Sequence, residues 1–145
     1  MIGSPSADPR VQRHLEQLGI AYELIDNGTF CIVVCFRNNG RAQEVYIHSE
    51  TSLLDKLEVR DVWAVGFVSD APLHADIANA LLVYNQGVKM GAWQLRRHPD
   101  NQGCIAEFRI PIAADAALDD FRTTLETVAD IADGVEEKLT GEDRF

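Results

Sequence analysis

The sequence predicts an α+β domain, an antiparallel sheet carrying helices in the order α-β-β-β-(β)-α-β-β-α. Three observations lead there. Short apolar or alternating runs come in blocks bounded by turn residues. Single helical segments interrupt those blocks instead of following each strand in turn, which argues against a parallel βαβ sheet. The last third carries an apolar stripe, Leu118, Phe121, Leu125, Val128, Ala132, Val135 and Leu139, at the spacing of a long amphipathic helix.

The first helix starts at Asp8-Pro9, an N-cap acid followed by proline at the first helical position. Val11, Leu15 and Leu18 share one face, and Gly19 is placed to stop it. Strands are expected at 20–25 and 29–37, around Asp26-Asn27-Gly28, and again at 43–48 after Asn38-Asn39-Gly40. Residues 50–58 read either way, with a short helical turn carrying Leu53, Leu54 and Leu57 as one option. A strand at 59–68 follows, expected to place Trp63, Val65 and Phe67 on one face and Val62, Ala64 and Val68 on the other. Asp70-Ala71-Pro72 opens a second helix that runs to about Asn85 and stops at Gly87. Strands at 91–97 and 104–112 form a hairpin in which Glu107 and Arg109 face water. The long final helix is expected to pack on this sheet through its stripe, leaving its acids solvated. The whole reads as one domain over residues 8–140 between loose tails at 1–7 and 141–145.

Length and charge bound the function. A chain of 145 residues fits one domain with its own core. Of the net charge of −10, residues 1–114 contribute 13 acids and 10 bases, and residues 115–145 contribute 10 acids and 3 bases. Such a chain repels a phosphate backbone, and Arg96-Arg97-His98 is too small a patch to reverse that. That triplet reads instead as charge blunting an edge strand. No nucleic-acid partner is expected. Nor is a membrane, since no apolar run approaches the length of a span. The start of the sequence lacks the features of a secretory leader and three cysteines form no disulfide framework, so the expected location is cytoplasmic.

A search for chemistry yields no catalytic, metal or cofactor residues. No phosphate loop, dinucleotide fingerprint or nucleophile elbow occurs. His14, His48, His74 and His98 fall on different elements. His74 and Asp76 are two apart on a helix and should diverge. Cys31 and Cys35 are four apart on a strand, roughly 13 Å, too far for a disulfide, and read as small core residues.

What remains is surplus apolar surface. Both faces of strand 29–37 are apolar, and from Leu73 to Tyr84 only His74, Asp76 and Asn79 are polar. Leu73, Ile77, Leu81 and Tyr84 suit the subunit's own core. Ala78 and Leu82 lie about a quarter-turn away and are left over, which marks them as a candidate dimer interface.

The stretch Ala80-Leu81-Leu82-Val83-Tyr84-Asn85, then Lys89-Met90-Gly91-Ala92-Trp93-Gln94-Leu95, the strand 105–112 and the closing helix together resemble the type III secretion chaperone-like fold. Within it the sequence resembles the YbjN-like group of bacterial sensory transduction regulators. The resemblance implies a homodimer that binds protein segments without catalysis, with Leu81, Leu82 and Asn85 as structural matches. It supplies no site residues. The expected function is therefore a chaperone-like or regulatory protein-binding module with a protein client. The alternative is a small-ligand-binding protein or enzyme whose pocket lies between the sheet and segment 50–58, with His48 in it.

Overall fold

The computed structural model describes residues 7–25, 27–37 and 39–140. Turn residues Asp26 and Asn38, and the tails expected at 1–7 and 141–145, lie outside that set except for Ala7, which packs against the core. The elements run α1 (Pro9–Gln17), β1 (Glu23–Ile25), β2 (Thr29–Cys35), β3 (Ala42–Ile47), β4 (Ser52–Leu54), β5 (Leu57–Ser69), α2 (Ala75–Gln86), β6 (Ala92–Arg97), β7 (Cys104–Ala113) and α3 (Leu118–Thr140). The strands form one antiparallel sheet in the order β1-β2-β3-β5-β7-β6, with β4 folded onto β5. The α+β class predicted from sequence is observed, and the element order matches apart from an added strand, since five strands precede α2 where three or four were expected.

One face of the sheet makes the core. Phe30, Ile32, Val45, Ile47, Val62, Ala64, Phe108, Ile110 and Trp93 meet Val11 and Leu15 of α1, Leu81 of α2, and Phe121, Leu125, Val128 and Ala132 of α3. Among the described residues, the opposite face carries no helix. The stripe of α3 packs on the sheet from Phe121 to Val135, while Leu139 at its end is exposed, and the burial is wider than the stripe. Asp133 and Glu136 are also buried, with Asp133 bound to Arg41 at 2.9 Å. Pairing with this cation, which arrives just before β3, is what lets Asp133 leave solvent.

Five local readings are decided or corrected. Segment 50–58 is a hairpin, not a helical turn: Ser52 pairs with Val59 and Leu54 with Leu57. Asp55 takes the left-handed turn position at φ 54, which a short polar side chain tolerates. Helix α2 begins at Ala75, because the His74 side chain accepts the Asp76 N–H and caps it. This cap also brings His74 Nδ1 to 3.6 Å from the Asp76 carboxylate instead of diverging from it. In β5 an irregularity between Val65 and Phe67 moves Phe67 onto the core face beside Val62 and Ala64. At that point a Cβ on Gly66 would meet the Trp93 ring at 2.4 Å. Finally, Cys31 and Cys35 lie on the helix-free face, half-buried and exposed, and only Cys104 is a core residue.

The start of α1 is pinned to the sheet by ions. Asp8 accepts the Arg10 N–H at 2.9 Å, as an N-cap acid should. The fully buried Arg60 guanidinium donates to Asp8 at 2.6 Å and to the His48 and Ser49 carbonyls at 2.8 and 3.1 Å. Burial raises the Asp8 carboxyl's pKa, but the bonds from Arg10 and Arg60 outweigh it and hold it well below the usual carboxylate range.

Candidate functional site

The two residues singled out from sequence, Ala78 and Leu82, sit together at the β6 edge of the sheet. Leu81 turns inward, and Leu73 and Ile77 pack against the core. Tyr84 meets Trp93 edge-on at 6.4 Å, and Trp93 meets Phe108 at 5.6 Å. Asn85 completes the junction. Its side-chain oxygen accepts the Trp93 N–H at 2.6 Å, and its amide donates to the Trp93 carbonyl at 3.2 Å. It therefore stands in for a neighbouring strand at one position of the outermost strand, and among the described residues no strand covers that edge beyond it. This is the structural role the resemblance implied for Asn85. Leu82, implied to be structural too, is instead 67% exposed.

Ala78, Leu81, Leu82, Trp93, Gln94 and Leu95 line a groove of about 120 Å³. Leu95 is 46% exposed, and Val83 and Met90 are exposed nearby in sequence. Exposed apolar side chains grouped on α2, β6 and the turn between them have the pattern of a contact surface. Arg96 and Arg97 follow at the end of the strand, on an edge strand as expected.

A second apolar groove lies at the far edge of the sheet. Strand β1 covers β2 only over residues 29–31, so the edge of β2 beyond Cys31 is open. Leu18, Ile20, Ile32, Val33, Val34 and Leu125 line a groove of about 270 Å³ there, with Arg122 and Glu126 at its rim. Val33 projects from β2 and is 55% exposed.

The pocket considered between the sheet and segment 50–58 is present on the helix-free face. His48, Glu50, Ser52, Val59, Arg60 and Asp61 line a space of about 260 Å³. Its inner wall belongs to a cluster that the sequence reading did not assemble. The register places Tyr46, Trp63 and Arg109 in one row across β3, β5 and β7. Tyr46 stacks on Trp63 at 5.4 Å, the Arg109 guanidinium lies 4.8 Å from the Trp63 ring, and His48 meets that ring at 4.2 Å. Arg109 binds Asp61 at 2.8 Å and Glu107 at 2.7 Å.

Glu107 was expected to face water and is 1% exposed. Arg109, Gln94 and Arg96 fold over it, at 2.7, 3.2 and 3.6 Å. Burial works against the Arg109 charge, yet Glu107 and Asp61 more than compensate and raise its pKa. Burial, helped by Arg109, lowers the pKa of His48, so its neutral form is favoured. Burial and the Glu44 acceptor push the Tyr46 phenol up, and burial with Glu44 does the same to the Cys31 thiol. These are neutral or paired groups, none of them an activated nucleophile. Among the described residues no three His, Cys, Asp or Glu side chains converge to hold a metal ion. No helix among them is long and apolar enough to cross a membrane.

No family model matches the chain, and no curated protein does. Among solved structures, it is similar to the crystal structure of YbjN from E. coli, described as a candidate transcription regulator. The identity is 14%, the TM-score is 0.59, and the match covers 90% of this chain and 89% of that one. The chain thus has a YbjN-like fold, as the sequence resemblance led one to expect.

Proposed function

We propose that this chain is a non-enzymatic, chaperone-like or regulatory protein-binding module that acts as a cytoplasmic homodimer. The observation that carries the proposal is the α2–β6 surface, where Leu82 stands exposed beside an apolar groove on its own subunit. In a two-fold assembly the same patch meets itself, so Leu82 of each copy enters the groove lined by Ala78, Leu81, Trp93 and Leu95 of the other. Charge at Arg96 and Arg97 disfavours simple edge-to-edge strand pairing and leaves the helix face as the contact. Pairing there keeps the groove at β2 clear at the opposite edge of each sheet. An extended apolar segment of a client fits that groove, with main-chain bonds to the open edge of β2. The likeness to YbjN, described as a regulator, fits a binding role.

Hydrogen exchange at low and high protein concentration tests the pairing. Amides of α2 and the outer edge of β6 should gain protection as concentration rises. Unchanged protection there, with protection gained on the helix-free face, would move the interface to the face carrying Cys31, Val33 and Cys35.

One observation favours a second reading, a small-ligand site. His48, Glu50, Ser52 and Asp61 converge on one pocket, and convergent polar groups in a concavity are the usual mark of such sites. A thermal-shift screen of small polar metabolites separates the readings. A stabilising compound whose effect disappears in Glu50→Gln supports this second one.

A further inference from the structure

We propose that the cleft between α1 and the turn joining β7 to α3 binds a small oxyanion of the phosphate type. Arg10, Arg13, His14 and Gln17 stand at i, i+3, i+4 and i+7 of α1, so they form one stripe in which every side chain carries N–H groups. They line a cleft of about 380 Å³ whose other wall is Ala114, Asp115 and Ala116. In a chain of net charge −10, this cleft sets two arginines against a single lining carboxylate. The one acid of α1, Glu16, is tied to Gln12 at 3.1 Å. Asp115 is the one carboxylate lining the cleft, and it is exposed.

The four side chains have different roles. Arg10 is held by Asp8 at 2.8 Å and by Glu58 at 2.9 Å, so its charge is largely matched and it shapes the deep end. Arg13 is exposed, and its planar fork suits two oxygens of one oxyanion. Gln17 adds an amide donor one turn along the helix. His14 donates from Nε2 to the Ala116 carbonyl at 2.8 Å and packs on Phe121 at 5.0 Å, which fixes its ring. Its Nδ1 is sealed from solvent with no hydrogen-bond partner. It adjoins a hole of about 10 Å³ shared with Arg10 and Arg60, room for about one water.

The test is a titration of the full chain with inorganic phosphate at constant ionic strength, followed by backbone amide shifts in NMR. Saturating shifts confined to residues 10–17 and 114–116 are expected. Arg13→Glu should weaken binding at least about tenfold, equivalent to ~1.4 kcal/mol, while Arg13→Lys keeps the charge and loses less. Phenyl phosphate distinguishes the source. Binding as tight as inorganic phosphate identifies the phosphoryl group of a larger molecule, and binding of inorganic phosphate alone identifies the free anion. Shifts that are linear, spread over the surface and reproduced by chloride overturn the site, as does an Arg13→Glu protein that titrates like wild type. The dimer proposal is untouched by either result, because Arg13 lies on a different element from α2 and β6.

Discussion

At Gly66 strand β5 carries no side chain because the Trp93 indole occupies that space. An added methyl group would lie 2.4 and 2.7 Å from two ring carbons, so the ring or the strand must move. Gly66→Ala should destabilise by about 1–3 kcal/mol, the usual cost of overpacking, read as a lower urea midpoint. A neutral result would mean that Trp93 has another place to go. Asp8 makes a second residue-scale case. Asp8→Ala leaves the buried Arg60 with carbonyl partners only and should cost ~3 kcal/mol. The pH dependence has a definite sign. A carboxyl whose folded pKa is depressed contributes stability above its unfolded value near 3.9. That contribution disappears as pH falls toward the lower folded value. Wild type should therefore lose more stability than Asp8→Ala between pH 5 and the acid limb, and parallel curves would contradict the ion clamp.

Among the elements, β2 separates what the sequence shows from what it hides. Its alternation correctly divides Phe30 and Ile32 from Cys31, Val33 and Cys35. Alternation alone does not say which face is covered, so the cysteines read as core residues although the helices all lie on the other side. Thiol labelling of the native protein should now modify Cys35 fastest and Cys104 slowest. Slow labelling of Cys35 would show that something covers the helix-free face. Helix α3 was readable from its stripe because seven apolar residues keep one period. Leu125, 2% exposed, should cost about 2–5 kcal/mol when truncated to Ala. The burial of Asp133 was not readable, since it depends on Arg41 arriving from the start of β3. Segment 50–58 was left open for a related reason: Leu53, Leu54 and Leu57 allow a buried turn, yet all three are exposed on a hairpin.

Over the whole molecule, the fold was visible in the order of its elements, and the α2 surface in a helix with more apolar residues than one sheet can cover. That Ala78 and Leu82 share one face was legible because both belong to a single helix, whose period any sequence displays. The Tyr46–Trp63–Arg109 row was missed because its members come from three strands, and only the register unites them. The same holds for the burial of Glu107 beneath Arg96 and Arg109. The central claim, that two copies meet through α2, puts Leu82 into a contact made twice in each dimer. A glutamate there places two unpaired charges in the interface, a cost of several kcal/mol, while an exposed site in the monomer leaves folding almost unchanged. Light scattering during size exclusion, on wild type and Leu82→Glu at matched concentrations, tests this most directly. The account predicts a wild-type dimer and a folded Leu82→Glu monomer. A wild type that stays monomeric at high concentration, or a Leu82→Glu protein that remains dimeric, would contradict it.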